Sequence, residues 1–319
     1  MKIANAIIMP KPFFRHEENP PFPEEFYTCI TKYWGMGFVG YDVNKYTPRQ
    51  MVIIPVIILL LSLALMGFNV ASFGMPVRPG IDFSGGTAVT LFTTDSADQI
   101  RTAFSAYPLL SIGESMNNGK YLKFGPMDDA SLQALATEIG TRYPDAKIDQ
   151  IGASFGETLQ KQALVALIIS FLGMTIVVFI AFRAVVPAGA VVLSAFADIA
   201  MTAAAMNVVG IELSLATVAA LLMLIGYSVD SDILLTMRVL KRQGKLEEKL
   251  AGAFRTGIIM TTTTITAILA MWLVALLGQI TVIWEIATVL LIGLVADLIN
   301  TWLTNAAIIK WYVLNRGGR

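Results

Sequence analysis

Long runs of apolar residues occupy the second half of the chain, and one further run lies near its start. A helix needs about twenty consecutive apolar residues to cross the hydrocarbon core of a bilayer. Six runs are long enough, so the pattern predicts six transmembrane helices. These are Met51–Val70, Ala163–Phe182, Ala184–Val209, Leu213–Leu235, Gly257–Leu277 and Val282–Ile309.

The stretch between the first two apolar runs has a different pattern, in which short strand-like and helix-like segments follow one another. In chain order they are Thr87–Phe92 (strand), Thr94–Tyr107 (helix), Leu109–Met116 and Lys120–Phe124 (strands), Met127–Tyr143 (helix) and Ala146–Ile151 (strand). Asn117-Asn118-Gly119 between the two middle strands is typical of a hairpin turn. The order β-α-β-β-α-β predicts a ferredoxin-like domain.

The predicted fold class is therefore a membrane all-α bundle of six transmembrane helices, with an α+β domain between the first and second helices. The parts are an N-terminal arm (1–50), the first helix (51–70), the ferredoxin-like domain (71–160), helices two to six (161–310) and a tail (311–319). Lysine and arginine are absent from the short connections around 209–212 and 278–281. They are present in the arm, the tail and the connection around 238–255. The positive-inside rule thus predicts a cell-membrane protein with both termini in the cytosol and residues 71–160 outside it.

Composition excludes several kinds of site. Only 14% of the residues are charged, against about a quarter in soluble domains. Cys29 and His16 are the only cysteine and histidine. The chain therefore cannot form an internal disulfide, and a zinc centre or a Ser/His/Asp triad is not expected. The formal net charge is zero, which gives no indication of nucleic-acid binding. We expect no metal, no cofactor and no enzymatic activity.

Four aspartates within the apolar runs are the main candidates for chemistry. Asp198 and Asp297 lie near the expected midplane, and Asp230 and Asp232 lie nearer the cytosolic end of the fourth helix. A charge at the bilayer centre costs at least about 2.5 kcal/mol and is kept only where it faces protein or water. These acids are therefore candidates for an ion pathway or for helix–helix contacts. Arg255, at the cytosolic entry of the fifth helix, is expected to hold Asp230 or Asp232 ionised.

Outside the membrane, the most distinctive stretch is Gly80-Ile81-Asp82-Phe83-Ser84-Gly85-Gly86-Thr87. It predicts a glycine-rich turn before the first strand of the outer domain. It lacks the lysine of a P-loop and precedes a strand, so phosphate binding is not expected.

This stretch resembles the signature that follows the first helix in the SecD/SecF family of protein-export membrane proteins. Other matches follow in the order of the family's SecF branch. They are Phe155-Gly156-Glu157 with Gln162-Ala163, the run from Gly210 to Asp230 that includes Gly226-Tyr227-Ser228, and Arg255-Thr256 before a run of threonines. Together the matches span about residues 78–310, and the form of the fourth helix resembles archaeal members.

The resemblance implies a subunit that acts with SecD. The pair assists the SecY translocon in exporting unfolded secretory polypeptides. In bacterial members, an acid in the fourth helix and an arginine in the fifth are thought to couple export to ion flow. The arginine corresponds to Arg255, whereas Ser231 stands at the position of the acid, between Asp230 and Asp232. Whether an ion gradient is used here, and which ion, stays open.

Two other functions agree with parts of the pattern. Half of an exporter of the RND class, for small molecules or lipids, has this topology but does not explain the SecF-type motifs. An intramembrane aspartyl protease would need Asp230 to face Asp198 or Asp297 across a helix pair. The glycine that precedes the catalytic aspartate in that class is replaced by Val229.

Overall fold

The computed structural model describes residues 45–114, 119–278 and 280–316. The helices are α1 (Pro48–Phe73), α2 (Ile81–Ser84), α3 (Ala97–Ala103), α4 (Asp129–Arg142), α5 (Ala153–Phe182), α6 (Val185–Val209), α7 (Leu215–Lys241), α8 (Leu246–Gly278), α9 (Thr281–Ile299) and α10 (Ala306–Arg316). A π-helix, Asn300–Asn305, joins α9 to α10. The strands are β1 (Gly86–Phe92), β2 (Leu109–Glu114), β3 (Gly119–Phe124) and β4 (Lys147–Ile151).

Six helical segments in the described part of the chain are long and apolar enough to span a membrane, which confirms the predicted number. They are α1, α5, α6, α7, α8 and the continuous segment Thr281–Asn315. The sequence placed the starts of α5 and α8 about ten residues too late. Charged residues near the start of each helix keep those turns out of an apolar run. In α5, for example, Lys161 pairs with Glu157 at 2.7 Å. Helices α6 and α7 are the most buried of the six and form the centre of the bundle.

The region between α1 and α5 contains a four-stranded antiparallel sheet with the order β2-β3-β1-β4. Helices α3 and α4 cover one face of it. Their shared core consists of Val89, Leu91, Ile100, Phe104, Leu122, Phe124, Leu135, Ile139 and Tyr143. Helix α3 starts later than predicted because the Ser96 hydroxyl caps it by accepting the Gln99 N–H, and it ends at Ala103, before the predicted Tyr107. The predicted turn at Asn117 and Asn118 lies outside the described residues.

Phe104 is the aromatic centre of this core and gives a direct test of its independence. It is fully buried and lies edge-on to Phe124, with ring centroids 5.8 Å apart. A fragment of residues 85–155 is expected to fold alone, with mixed helix and strand in its circular dichroism spectrum. Phe104→Ala should lower its free energy of unfolding by about 3–5 kcal/mol. Phe92→Ala is the matched control, because that side chain is 55% exposed and its loss should change little. An unfolded wild-type fragment would contradict the prediction.

Candidate functional site: a buried acidic cluster

Three aspartates from three different helices lie in the interior of the bundle. Asp198 of α6, Asp232 of α7 and Asp297 of α9 are 0%, 0% and 1% exposed. The side chains that form hydrogen bonds with their carboxyl groups are serine, threonine and asparagine. They come from α7 (Ser228 and Ser231) and from the π-helix (Asn300, Thr301 and Asn305), and all five are buried. We call these eight residues the acidic cluster.

Asp198 is held from two directions. Its Oδ2 accepts a short hydrogen bond from the Ser228 hydroxyl. Its Oδ1 accepts the Asn300 Nδ2–H at 2.6 Å. The carboxyl group therefore links α6 to α7 on one side and to the π-helix on the other.

Asp232 and Asp297 share a hydroxyl. Thr301 Oγ1 lies 2.8 Å from Asp232 Oδ1 and 3.2 Å from Asp297 Oδ1. Asp232 Oδ1 also accepts the Asn305 Nδ2–H at 2.8 Å, and Asp297 Oδ1 lies 2.9 Å from Ser231 Oγ. A hydroxyl carries one proton and can donate to only one carboxylate at a time. The arrangement thus lets the Thr301 proton serve either acid.

No positive side chain compensates these acids in the described part of the chain. The ion pairs found there, Lys123–Glu212 and Lys161–Glu157, lie outside the cluster. One oxygen of Asp232 and one of Asp297 are buried without a hydrogen-bond partner. Burying an unpaired carboxylate is strongly unfavourable, so three ionised groups cannot coexist here. Some of these carboxyl groups must therefore be protonated, or their charge balanced in another way.

The structure separates Asp230 from this cluster. Side chains two residues apart on an α-helix point about 200° apart, so Asp230 faces away from a buried Asp232. Ser228, Ser231 and Asp232 are buried on one face of α7, whereas Asp230 is exposed on another. Arg255 is also exposed, and among the described residues it forms no ion pair with either aspartate. The expected ion pair is therefore absent there, and Asp230 does not face Asp198 or Asp297 as a protease would require.

The three motif residues on α7 have different surroundings. Gly226 is exposed, and a Cβ atom there would meet nothing within 4 Å. Tyr227 is half-buried, and its hydroxyl has no hydrogen-bond partner among the described residues. Only Ser228 enters the acidic cluster, through Asp198.

The glycine-rich stretch at residues 80–87 fastens the α+β domain between α1 and α5 to the membrane helices. Gly80 donates its N–H to Leu213 O at 2.8 Å, and Asp82 Oδ2 accepts the Leu215 N–H at 2.9 Å at the start of α7. Residues Ile81–Ser84 form α2, in which Phe83 is buried. Gly86 adopts φ 142° against the Phe124 backbone, and Thr87 is buried beside it in β1. The stretch is thus a structural junction.

A mixed-charge cleft of about 580 Å³ lies beside this junction, between the helix-free face of the sheet and the adjoining ends of α7, α8 and α9. Lys123 Nζ crosses it to Glu212 Oε2 at 2.6 Å and links β3 to the segment before α7. Burial and the carboxylates of Glu285 and Asp82 raise the pKa of Tyr121 to about 12. Tyr121 therefore stays neutral at physiological pH and does not add a negative charge to the cleft.

Sequence reasoning missed the polar residues of the π-helix. Asn300, Thr301 and Asn305 lie three, four and eight residues after Asp297. The spacing of Asp297 and Thr301 follows one face of an α-helix and is a usable signal, whereas Asn300 and Asn305 lie about 140° apart in an α-helical register. The apolar run that contains these residues conceals it, because a span prediction averages over them.

Comparison with known proteins agrees with this architecture. Residues 131–315 match the family "Protein export membrane protein SecD/SecF, C-terminal". A protein-export membrane protein SecF of Methanolacinia petrolearia is 57% identical over 89% of this chain and 100% of its own length. The SecF of Haloferax volcanii is 44% identical over 85% of this chain and 94% of its own.

A solved structure shows the same fold. The crystal structure of SecDF, a translocon-associated membrane protein from Thermus thermophilus, superposes with a TM-score of 0.67 at 20% sequence identity. The match covers 90% of this chain and 41% of that longer chain. The family match over more than half of the sequence and the close full-length relatives lead to one assignment: this chain belongs to the SecF family of protein-export membrane proteins.

Proposed function

We propose that this multi-pass membrane protein is the SecF subunit that acts with SecD to promote export of unfolded polypeptides through the SecY translocon. In this proposal, ion uptake and release at the acidic cluster drive export. The observation that carries the coupling is the group of three buried carboxyl groups without a compensating cation. The matched relatives are named for protein export, and nothing in the comparisons favours a small-molecule or lipid exporter.

Pairing with SecD is supported by two charges on the surface of the bundle. Asp230 lies about 22 Å from the start of α7 and about 16 Å from its end, at 1.5 Å per residue. Arg255 lies about 14 Å into α8. Asp230 is exposed at membrane depth, where contact with lipid is unfavourable, and Arg255 is exposed near the cytosolic entry of the fifth span. A homologous six-helix partner, as in transporters built from repeated halves, would cover them.

For the outer domain we propose a ferredoxin-like fold on the extracytoplasmic side, with both termini of the chain in the cytosol. The strand order β2-β3-β1-β4 with two helices on one face supports the fold. The distribution of lysine and arginine among the short connections supports the orientation. In this placement, the cleft between the sheet and the helix ends opens towards the exported polypeptide.

The partner proposal predicts the outcome of a co-purification. Asp230→Leu combined with Arg255→Leu should make this surface compatible with lipid and remove its polar contacts. We expect much less SecD to be recovered with the tagged chain in mild detergent, at an unchanged amount of the chain. Met223→Leu is the matched control, because Met223 is an exposed apolar residue of α7. Recovery of SecD at the wild-type level, or a stable and active monomer, would contradict the proposed interface.

A further inference from the structure

The last membrane segment changes its helical register at the acidic cluster. Ala306 donates its backbone N–H to the Thr301 carbonyl, five residues back, instead of four as in an α-helix. Such π segments are rare and occur frequently at functional sites. Here the six residues Asn300–Asn305 include three of the eight members of the acidic cluster.

The π register brings two asparagines to the same side of the helix. In a regular α-helix Asn300 and Asn305 would be separated by five steps of 100°, or about 140°. Hydrogen bonds between residues five apart make these positions successive turns of one face. Accordingly, Asn300 Nδ2 reaches Asp198 Oδ1 at 2.6 Å and Asn305 Nδ2 reaches Asp232 Oδ1 at 2.8 Å. An α-helical register would lose one of these two bonds.

We propose that the π-helix is a positioning device for ion binding, in which Asn300 and Asn305 each deliver one carboxamide donor to a different acid. The proposal deepens the proposed ion coupling and rests on the same cluster. The device makes Asp198 and Asp232 distinct from Asp297. The first two accept from an amide N–H, whereas Asp297 is bonded by hydroxyl groups alone.

The distinction matters because an amide and a hydroxyl respond differently to protonation. A carboxamide N–H can only donate, so it stabilises the ionised form of its acid. A hydroxyl can donate to a carboxylate or accept from a carboxylic acid. Asn305 therefore favours ionised Asp232, while Thr301 and Ser231 allow Asp297 to hold a proton. Removing the Asn305 amide should make Asp232 take up a proton at higher pH.

The titratable groups that face Asp232 are few. Asp198 on α6 and Asp297 on α9 are the other acids of the cluster, and its remaining members do not titrate. On α7 itself the Tyr227 hydroxyl makes no hydrogen bond to any of them in the described structure. Since no described lysine or arginine pairs with the cluster, the amide donors have no cationic competitor there.

Trp302 holds the opposite side of the π-helix in place. Its side chain is 4% exposed and lies edge-on to Phe254, with ring centroids 4.9 Å apart. It fills the space next to Gly257 of α8, where a Cβ atom would come within less than 3.0 Å of the indole ring. A change of register would rotate Trp302 out of this position. Packing against α8 thus stabilises a register that is intrinsically unfavourable.

The test follows protonation directly by infrared spectroscopy of the purified full-length chain with SecD, titrated over pH. The C=O stretching band that is present in the wild type and missing in Asp232→Asn identifies the protonated Asp232 carboxyl group. We expect Asn305→Leu to raise the pH midpoint of this band by about one unit, the equivalent of one charge-assisted hydrogen bond. Leu303→Ala, in the same segment but without a bond to an acid, is the matched control and should leave the midpoint unchanged.

A second variant tests the register itself. Insertion of one alanine after Leu303 places Asn300 and Asn305 six residues apart, so that neither an α-helical nor a π register keeps both on one face. It should produce the same upward shift by withdrawing Asn305. Adding Asn305→Leu to the insertion should then have no further effect, because both changes remove one interaction. An unchanged midpoint in Asn305→Leu overturns the proposal, as does an additive shift in the double variant. If the lengthened chain does not integrate into the membrane, the Asn305→Leu result alone decides. A shifted midpoint without any gradient-stimulated export by the wild type would instead reject the proposed function and retain the positioning role.

Discussion

Asp232→Asn is expected to abolish the stimulation of protein export by an ion gradient, while the amount of the chain and its association with SecD stay normal. Asp232 is fully buried, and its Oδ1 accepts from Thr301 and Asn305. Asparagine has nearly the same shape but cannot bind and release a proton or balance a cation. Export should therefore fall to the level seen without a gradient. The measurement is translocation of a secretory precursor into membrane vesicles with and without the gradient.

The neighbouring acid provides a matched control. Asp230→Asn makes the same chemical change two residues away, on an exposed face of α7 outside the cluster. Gradient stimulation should persist in this variant, provided that SecD is still bound. Asp198→Asn should behave like Asp232→Asn, because Asp198 is held in the cluster by Ser228 and Asn300. Full gradient stimulation in Asp232→Asn and Asp198→Asn would show that these acids only join helices.

Gly86→Ala is expected to destabilise the outer domain severely. Gly86 has φ 142°, a conformation almost restricted to glycine, and an added Cβ atom would lie less than 3.0 Å from the backbone oxygen of Phe124. The neighbouring atom is backbone in the paired strand β3, so it cannot move aside as a flexible side chain would. Backbone strain and overpacking together should cost about 3 kcal/mol. Limited proteolysis of the full-length chain in denaturant measures the loss as earlier cleavage of the domain.

Gly113→Ala is the control for this experiment. Gly113 lies in β2 of the same sheet, and a Cβ atom there would make ordinary contacts, with Tyr121 O at 3.6 Å. The domain should remain about as resistant to proteolysis as the wild type. If Gly86→Ala were as resistant to proteolysis as the wild type, the assigned role of the glycine-rich stretch would be contradicted. In that role, Gly86 joins α2 to β1 where the chain passes close to the Phe124 backbone.

The helices could be predicted from sequence because crossing a bilayer demands length and low polarity, both of which are visible in the residue pattern. Their ends could not. The first turns of α5 and α8 contain residues such as Glu157 and Glu247, which suit a helix in water but lower the mean hydropathy. The strand register of the outer domain could not be predicted either, because it depends on pairing between distant segments, of which β1 with β3 and β4 is an example.

The candidate site was only partly predictable. Asp198, Asp232 and Asp297 could be predicted as candidates because acids are unusual in apolar runs. The structure places these three together in the interior. Helical periodicity separates Asp230 from Asp232, but it does not say which of the two faces the interior. The contributions of Asn300 and Asn305 could not be predicted, since a pattern read at 100° per residue places them on different faces. Only the π register aligns them.

The central claim is that the acidic cluster couples an ion gradient to protein export. The most direct measurement uses vesicles from cells depleted of this chain and supplied with the wild type or with Asp232→Asn. Export of a secretory precursor is followed while the gradient is varied. We predict that gradient stimulation is lost on depletion, restored by the wild-type chain and not restored by Asp232→Asn. Equal stimulation in depleted and wild-type vesicles, or restoration by Asp232→Asn, would contradict the claim.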